Sequence, residues 1–486
     1  MRFWKTTQRR KRFQRSGYST ESLEVRELLT TLPPGFTEVQ VADLNTNPTA
    51  IASTPDGRLL IATDNNANTG TIRVIKNGTL LPTPALQFTI FSQGEQGING
   101  MTIDPDFINN NFVYVYYTTD QGGRHNRLSR FTFSGDTVIS GSEFVLMDFD
   151  LLGAGTIHNG GGMAFGSDGK LYLGIGDNVN SANARTLNNQ FGKILRLNSN
   201  GTIPTDNPFF SVANGDNRAI YAIGVRSPYS VAADPVSGRI FFNDVGSSLF
   251  EEINELQAGG DYGWAINEGS TNDPAYVSPI YAYPHGMAIY QGCAVTGGTF
   301  YQPTISQFPA AYANKYFFID FCSGWIDTYD LTTGAVAQFA SGLETESIAL
   351  HVDALGAMYY LSQDTGRVMK IEYPVNAPPA IAYEPHNSSV AAGEATSFEV
   401  SVGGTAPFTY QWQKNGINIP GAVSKSLSIG SASLADNGAV YRVAVSNAFG
   451  SILSAGATLS VIAGHRPLPV ITLPLEGGTY IAGNQI

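Results

Sequence analysis

Cysteine is nearly absent from this chain, with two residues, Cys293 and Cys322, among 486. Two thiols cannot make a four-ligand zinc site, and no CxxC occurs, which excludes zinc-ribbon and thioredoxin-like chemistry. They are either two buried thiols or one disulfide. Charge is sparse too, at 14% of residues. No apolar run reaches the roughly 18–20 residues that a membrane-spanning helix needs. Glycine is what the chain has in plenty, 53 residues, together with 23 Tyr and 27 Phe. That composition suits an all-β protein with many turns.

The net charge of −12 is unevenly spread. The first fifteen residues, "MRFWKTTQRRKRFQR", carry seven Lys or Arg and no acid, so the remainder holds 21 basic against 40 acidic residues. Such an acidic body repels nucleic acid. The basic tail is followed by "SGYSTESLEVRELL", which is no apolar export segment. Residues 1–25 therefore read as a disordered tail.

A recurring unit runs through the next 350 residues: an apolar stretch, a turn built on Asp or Ser with Gly, then a β-rich stretch. The instances are "AIASTPDGRLLIATD", "GMTIDPDFINNNFVYVYYT", "GMAFGSDGKLYLGIGD", "SVAADPVSGRIFFNDVG", "AVTGGTFY…KYFFIDFCSG" and "IALHVDALGAMYYLSQD". Asp-Gly and Ser-Gly between alternating apolar runs are hairpin signals. Six of them predict a six-bladed β-propeller over 26–374, rather than a many-stranded sandwich. After a proline-containing linker at 375–380, "FTYQWQKNG" and "SLADNGAVYRVAVSN" place a Trp on one strand and Asp-x-Gly-x-x-Tyr before a late one. This resembles an immunoglobulin-like domain over 381–463, with Trp412 in its core, Tyr441 at its corner, and Val443 where a cysteine is usual. Residues 464–486 read as the opening of a further, truncated β-domain.

In a hairpin, the residues before the first strand and after the second share one end, opposite the turn. His158, in "TIHNGGGMAFG", should therefore lie beside Asp177 and Asn178 of "GIGDN". Arg226 of "GVRSPYS" and Glu95 of "GEQGING" fall at the same end of their own hairpins. In a propeller these residues converge on one face around the axis.

The stretches "TIHNGGGMAFGSDGKLYLGIGD", "GKILRLNSNGTIPTDNPFF", "YAIGVRSPYSVAADPVSGRIFFNDVG" and "EEINELQAGGDYGW" resemble the soluble glucose/sorbosone dehydrogenase family over roughly residues 35–373. The resemblance implies a secreted or periplasmic quinoprotein that uses pyrroloquinoline quinone (PQQ) and calcium. It would oxidise the anomeric hydroxyl of aldoses to the lactone and pass electrons to an external acceptor. His158 would be the base, as a side chain of unperturbed pKa near 6.5 suits. Arg226 would clamp the quinone carbonyl, and Glu95 and Asn178 would contact cofactor or substrate. The three glycines after His158 would leave room for both.

Calcium would take the carbonyls of Gly246 and Ser247 at one site, and Glu251, Glu252 and the Tyr262 carbonyl at a second. Where the family carries basic anchors for the cofactor's carboxylates, this chain has Cys322, Glu344 and Glu346. Ile157 stands where an aspartate orients the histidine. "DFCSGWI" resembles the aldose dehydrogenase-like and hedgehog-interacting-protein-like branch. With secretion typical of the family, a Cys293–Cys322 bridge is favoured, since both cysteines sit at the open end of one hairpin. Two alternatives stand beside the dehydrogenase. One is a cofactor-free propeller that binds a carbohydrate or a protein; the other is a lactonase whose calcium would be held by Glu95, Asn178 and Asp177. In each case the appended sandwich could contact a cell surface or polysaccharide.

Overall fold

A computed structural model describes residues 30–463 apart from Asn66, Met287 and Val375. The basic tail and the C-terminal stretch 464–486 lie outside the described residues.

Six antiparallel sheets follow one another along the chain. Each begins with an inner strand: Asn47–Ser53, Ile98–Ile103, Gly160–Phe165, Pro228–Ala233, Val295–Phe300 and Ser347–Val352. Each inner strand packs against the next, and the sixth returns against the first, so the sheets close into a six-bladed propeller. Each of the six hairpins read from the sequence is the first strand pair of one blade. The last blade is completed from the far end of the chain. Thr37–Asp43 pairs antiparallel with Arg367–Glu372, from Thr37↔Glu372 to Asp43↔Arg367. The second strands are buried between blades along nearly their whole length, with Ile61, Val115, Leu173, Phe242, Phe318 and Leu361 fully buried. A strand covered on both faces reads as such a near-continuous run of aromatic and aliphatic residues, successive side chains facing the two neighbouring blades.

The inner strands surround an axial bore of about 330 Å³. His351 lies in it, near the hairpin-turn end, with Nε2 2.7 Å from the Ser53 hydroxyl. Its ring is enclosed by the blades yet touches the bore, and burial pulls its pKa down to about 4. A histidine held neutral when folded must be charged in the unfolded chain below its ordinary value near 6.5. The unfolded state then binds the extra proton, so His351 stabilises the fold above about pH 6.5 and that contribution is lost as pH falls towards 4. The partial exposure of His351 to the bore limits the effect to about 1–2 kcal/mol. His351→Gln should flatten the acid side of the stability curve relative to wild type, measured by urea unfolding between pH 4.5 and 8. Parallel curves would contradict this.

Beyond the propeller, strands from Ala380–Tyr383 to Ala457–Ile462 form a β-sandwich around Trp412, Phe398, Tyr441 and Val443. Trp412 is opposite Val443 in register. A buried valine thus fills the place where a cross-sheet cysteine would sit. The sandwich meets the propeller at the hairpin-turn face, where Lys425 Nζ donates to the Asp56 carbonyl at 3.1 Å. Asp56 sits in the first-blade turn, at the end of the propeller opposite His158.

Candidate active site

At the other face, the second strand of each blade ends where the inner strand begins. A carboxylate there can accept backbone N–H groups that have no ladder partner. Blades 4 and 5 use it so. Asp244 accepts from the Arg226 and Ser227 amides, the latter at 2.6 Å, and Asp320 accepts from Cys293, Ala294, Cys322 and Ser323. In blade 3 the arrangement differs. Glu95, reaching over from blade 2, takes the His158 amide at 2.6 Å and the Asn159 amide at 3.4 Å. Asp177 is thereby released, and its Oδ1 lies 2.7 Å from Nδ1 of the His158 ring.

This pair is the centre of the site. His158 is 8% exposed and Asp177 1%, and His158 adopts a left-handed backbone, φ 61°. An ionised carboxylate only accepts, so in the neutral ring Nδ1 carries the proton and Nε2 keeps its lone pair. Asp177 is fixed in turn by the Trp264 indole, whose Nε1 donates to Oδ2 at 2.9 Å, and by the Val179 amide at 2.8 Å. The orienting aspartate missing at Ile157 is thus supplied from the neighbouring strand. Burial raises the carboxyl of Glu95 above its ordinary range, while His158, its two backbone donors and Arg226 pull it back.

Arg226 lies beside the pair. Its carbonyl accepts the Asp177 amide at 2.8 Å, its Nη1 donates to the Val245 carbonyl at 2.8 Å, and its guanidinium sits 5.6 Å from the Trp264 ring. Arg226 Nε and Asn178 Oδ1 are buried without a hydrogen-bond partner. A buried polar atom left unpaired costs about 1–3 kcal/mol, so these two mark a place where a polar ligand would be accepted. Hairpin ends brought His158, Asp177, Asn178, Arg226 and Glu95 together as the sequence implied. Trp264 was missed, and the only signal for it is its place after "GDYG".

The glycines after His158 have a packing reason that the sequence did not suggest. A Cβ on Gly161 would lie 2.5 Å from Asn99 Cβ, and one on Gly162 would lie 2.5 Å from Ser230 Cα. Neighbouring inner strands approach too closely for side chains there. The run serves packing at the propeller axis.

Of the residues considered for calcium, Gly246 and Ser247 lie on a loop that Glu268 holds. One oxygen, Oε1, accepts the amides of Ser247, Ser248, Leu249 and Phe250 at 2.8–3.1 Å, and these bonds hold the carboxyl below its usual range although burial opposes them. Glu251 and Glu252 are 0% and 7% exposed, so they do not form a solvated edge. As neighbours on one strand they face opposite sides, and the structure does not bring their carboxylates together. Glu251 pairs with His285, Oε1 to Nε2 at 2.6 Å. Glu252 stands opposite Asp244 in register. Burial and then the charge of Asp244 push Glu252 up to about 8, and burial pushes Asp244 up to about 7. Two residues on, fully buried Asn254 has an unpartnered Oδ1. Two buried carboxylates and an amide oxygen are hard-cation ligands, and sequence reasoning had named neither Asp244 nor Asn254. The Tyr262 ring packs on Phe242 and its hydroxyl donates to the Glu255 carbonyl, so it has only its own carbonyl to offer a metal.

Cys293 and Cys322 form a disulfide, with Cα atoms 5.7 Å apart. Glu344 Oε1 accepts from Arg367 at 2.6 Å and Oε2 from the Thr365 hydroxyl. Among the described residues, no helix is long and apolar enough to cross a membrane.

Comparison with known proteins agrees with this picture. The aldose sugar dehydrogenase YliI of Escherichia coli K12 is 28% identical over 251 residues, 51% of this chain and 66% of that protein. Quinoprotein glucose dehydrogenase B of Acinetobacter calcoaceticus is 30% identical over 220 residues, 39% of this chain and 44% of its own. The chain therefore spans less than two thirds of the length of either. Among solved structures, the PQQ-bound form of aldose sugar dehydrogenase from Streptomyces coelicolor has the same fold, with a TM-score of 0.58 and 22% identity over 70% of this chain and 99% of that one. The family model described as glucose/sorbosone dehydrogenase matches residues 45–317. With that match covering more than half of the sequence, the chain belongs to the glucose/sorbosone dehydrogenase family.

Proposed function

We propose that this chain oxidises the anomeric hydroxyl of an aldose to the lactone, with PQQ as its cofactor and an external electron acceptor. The observation that carries this is the His158–Asp177 pair, which leaves a neutral Nε2 beside the unpartnered Arg226 Nε and Asn178 Oδ1. When bound, PQQ supplies the acceptor for the hydride that leaves the anomeric carbon. His158 Nε2 takes the hydroxyl proton, and Asp177 Oδ1 stabilises the ring as it becomes charged. Arg226 and Asn178 fit the polar end of the quinone, one offering donors and the other an oxygen and an amide. Trp264, which donates to Asp177, holds the carboxylate in line. For calcium, the Gly246–Ser247 loop and the Asp244–Glu252–Asn254 set are the residues we assign. The disulfide suits an exported, oxidising setting, and we assign the C-terminal sandwich to the immunoglobulin-like class, as a spacer or a contact with polysaccharide.

A second reading is a propeller that binds carbohydrate or protein without a cofactor. It is favoured by the groups at the family's basic anchors. Cys322 is locked in a disulfide and Glu344 is already ion-paired. Charge-assisted bonds to a carboxylate are worth about 1.5–3 kcal/mol each, so the loss of three would cost PQQ several orders of magnitude in affinity.

Titrating the full chain with PQQ in excess calcium, followed by tryptophan quenching, separates the two. Saturable quenching, followed by dye reduction on adding aldoses, is the expected result. No binding up to high micromolar PQQ in a folded protein would overturn the proposal and leave the binding reading. Turnover of a lactone without any quinone would point to a hydrolase instead.

A further inference from the structure

Lys193 is fully buried at the start of the third strand of blade 3, and the chemistry above does not use it. Burying an amine costs several kcal/mol unless its surroundings make use of it. Its Nζ donates to two neutral acceptors, the carbonyls of Asn183 at 2.7 Å and Phe191 at 2.6 Å. These lie in the middle and at the far end of the loop that returns the chain from Asp177 to this strand. Asn183 is the link to the site, because its side-chain amide donates to the Asp177 carbonyl at 3.0 Å. The corner it reaches is under backbone strain. Asn178 and Val179 both take left-handed conformations, φ 52° and 59°, and for a β-branched valine that conformation is costly. A strained corner persists only where its surroundings determine it.

We propose that Lys193 is a positioning residue for His158, tying down the loop behind the Asp177–Val179 corner and setting a cation behind the Asp177 carboxylate. The proposal rests on the dehydrogenase reading for its catalytic meaning, but not for its test. The charged groups facing Nζ are Arg185, Asp261 and Asp177, and Arg185 is itself paired with Asp261. Burial first, and Arg185 second, bring the Lys193 amine down to about 7, against the pull of the two aspartates. A neutral amine still has the two N–H groups that its two carbonyls require, so the clamp survives deprotonation while the cation does not. Below neutral pH the cation opposes charging of the His158 ring; above it, that opposition is gone.

Two variants separate the clamp from the charge. Lys193→Gln keeps two N–H groups without charge, and Lys193→Met keeps the bulk with neither. The measurement is NMR of the full chain without cofactor, with labelled histidine and amide hydrogen exchange. In Lys193→Gln, the His158 ring should hold its proton to higher pH while exchange at Asn178 and Val179 stays slow. In Lys193→Met, the ring should shift likewise and those two amides should exchange about tenfold faster or more, in keeping with an opened local unit. In the active protein kcat should fall at least tenfold with KM little changed, because a displaced base loses alignment before it loses substrate. Folded variants with unchanged ring titration and unchanged exchange would overturn the proposal, making Lys193 a packing residue. Should neither variant fold, wild-type protein with labelled lysine decides. Protonation of Lys193 near pH 7 must be mirrored in the His158 ring and Asn178 amide signals, and its absence there overturns the proposal equally. Failure of PQQ binding would sink the catalytic reading and leave these NMR results standing.

Discussion

Replacing His158 by asparagine is expected to lower kcat by ~10²–10⁴-fold, the range that loss of a general base spans, while PQQ still binds. The rate should fall because nothing else at the site offers an uncommitted lone pair basic enough to take the proton. Asp177 is spent on the ring, Trp264 and Val179, and one oxygen of Glu95 is spent on two backbone amides. Binding should persist because Arg226 is held by its bond to the Val245 carbonyl, and Asn178 bonds to His158 only at the His158 backbone carbonyl, which asparagine keeps. Asparagine is the better substitute than alanine here. His158 has φ 61°, and asparagine tolerates left-handed backbone where most residues do not. A loss in the alanine variant could arise from a rearranged corner, whereas in the asparagine variant it reports the base. Steady-state rates with a dye acceptor, beside PQQ titrations of both proteins, decide the matter. Turnover within a few-fold of wild type would remove His158 from the chemistry.

The parts of this molecule that were legible in its sequence are those that local turns encode. Three of the six first hairpins turn on Asp-Gly or Ser-Gly, at Asp56-Gly57, Asp168-Gly169 and Ser237-Gly238, and the other three were readable from the paired apolar stretches on either side of longer connections. The outer strands were not. Lys193–Asn198 and Ile220–Ile223 are joined by a long irregular segment, and no turn motif fixes their pairing. Closure by Thr37–Asp43 was invisible for a stronger reason, since its partner lies more than three hundred residues away and edge strands of similar composition are interchangeable until tertiary packing chooses among them. At the site, the rule that both ends of a hairpin meet placed His158 with Asp177 and Asn178. It could not say that Asp177 would hold the imidazole. That depends on Glu95 arriving from another blade to take the backbone amides, a contact between residues 63 positions apart. The opposite facing of Glu251 and Glu252 could have been read from strand alternation alone. The glycine run shows the limit of reasoning from a motif: its place beside His158 invited a ligand explanation, and the distances to Asn99 and Ser230 give a packing one.

Asp177→Asn should be the second large loss, ~10²–10⁴-fold in kcat/KM, though the base itself is untouched. An amide of the same shape keeps one oxygen, enough to accept from Trp264 Nε1 or the Val179 amide, so the corner should survive. The change falls on the ring. An ionised carboxylate can only accept, which forces the proton onto Nδ1; an amide can turn its NH₂ towards Nδ1 and move the ring proton to Nε2, where it blocks the lone pair. The charge is lost as well, so a protonated ring is no longer stabilised as the sugar hydroxyl gives up its proton. The two effects leave separate marks. The wrong tautomer lowers the rate at every pH. The lost charge moves the acid limb of the kcat/KM profile to lower pH, because the ring in the variant releases its proton more readily. Trp264 reports the fold independently through its fluorescence, which should change little if its new partner still accepts. A depressed rate with an unmoved acid limb would mean that Asp177 only shapes the corner, and orientation of the ring would then have to come from the strained backbone at His158 itself.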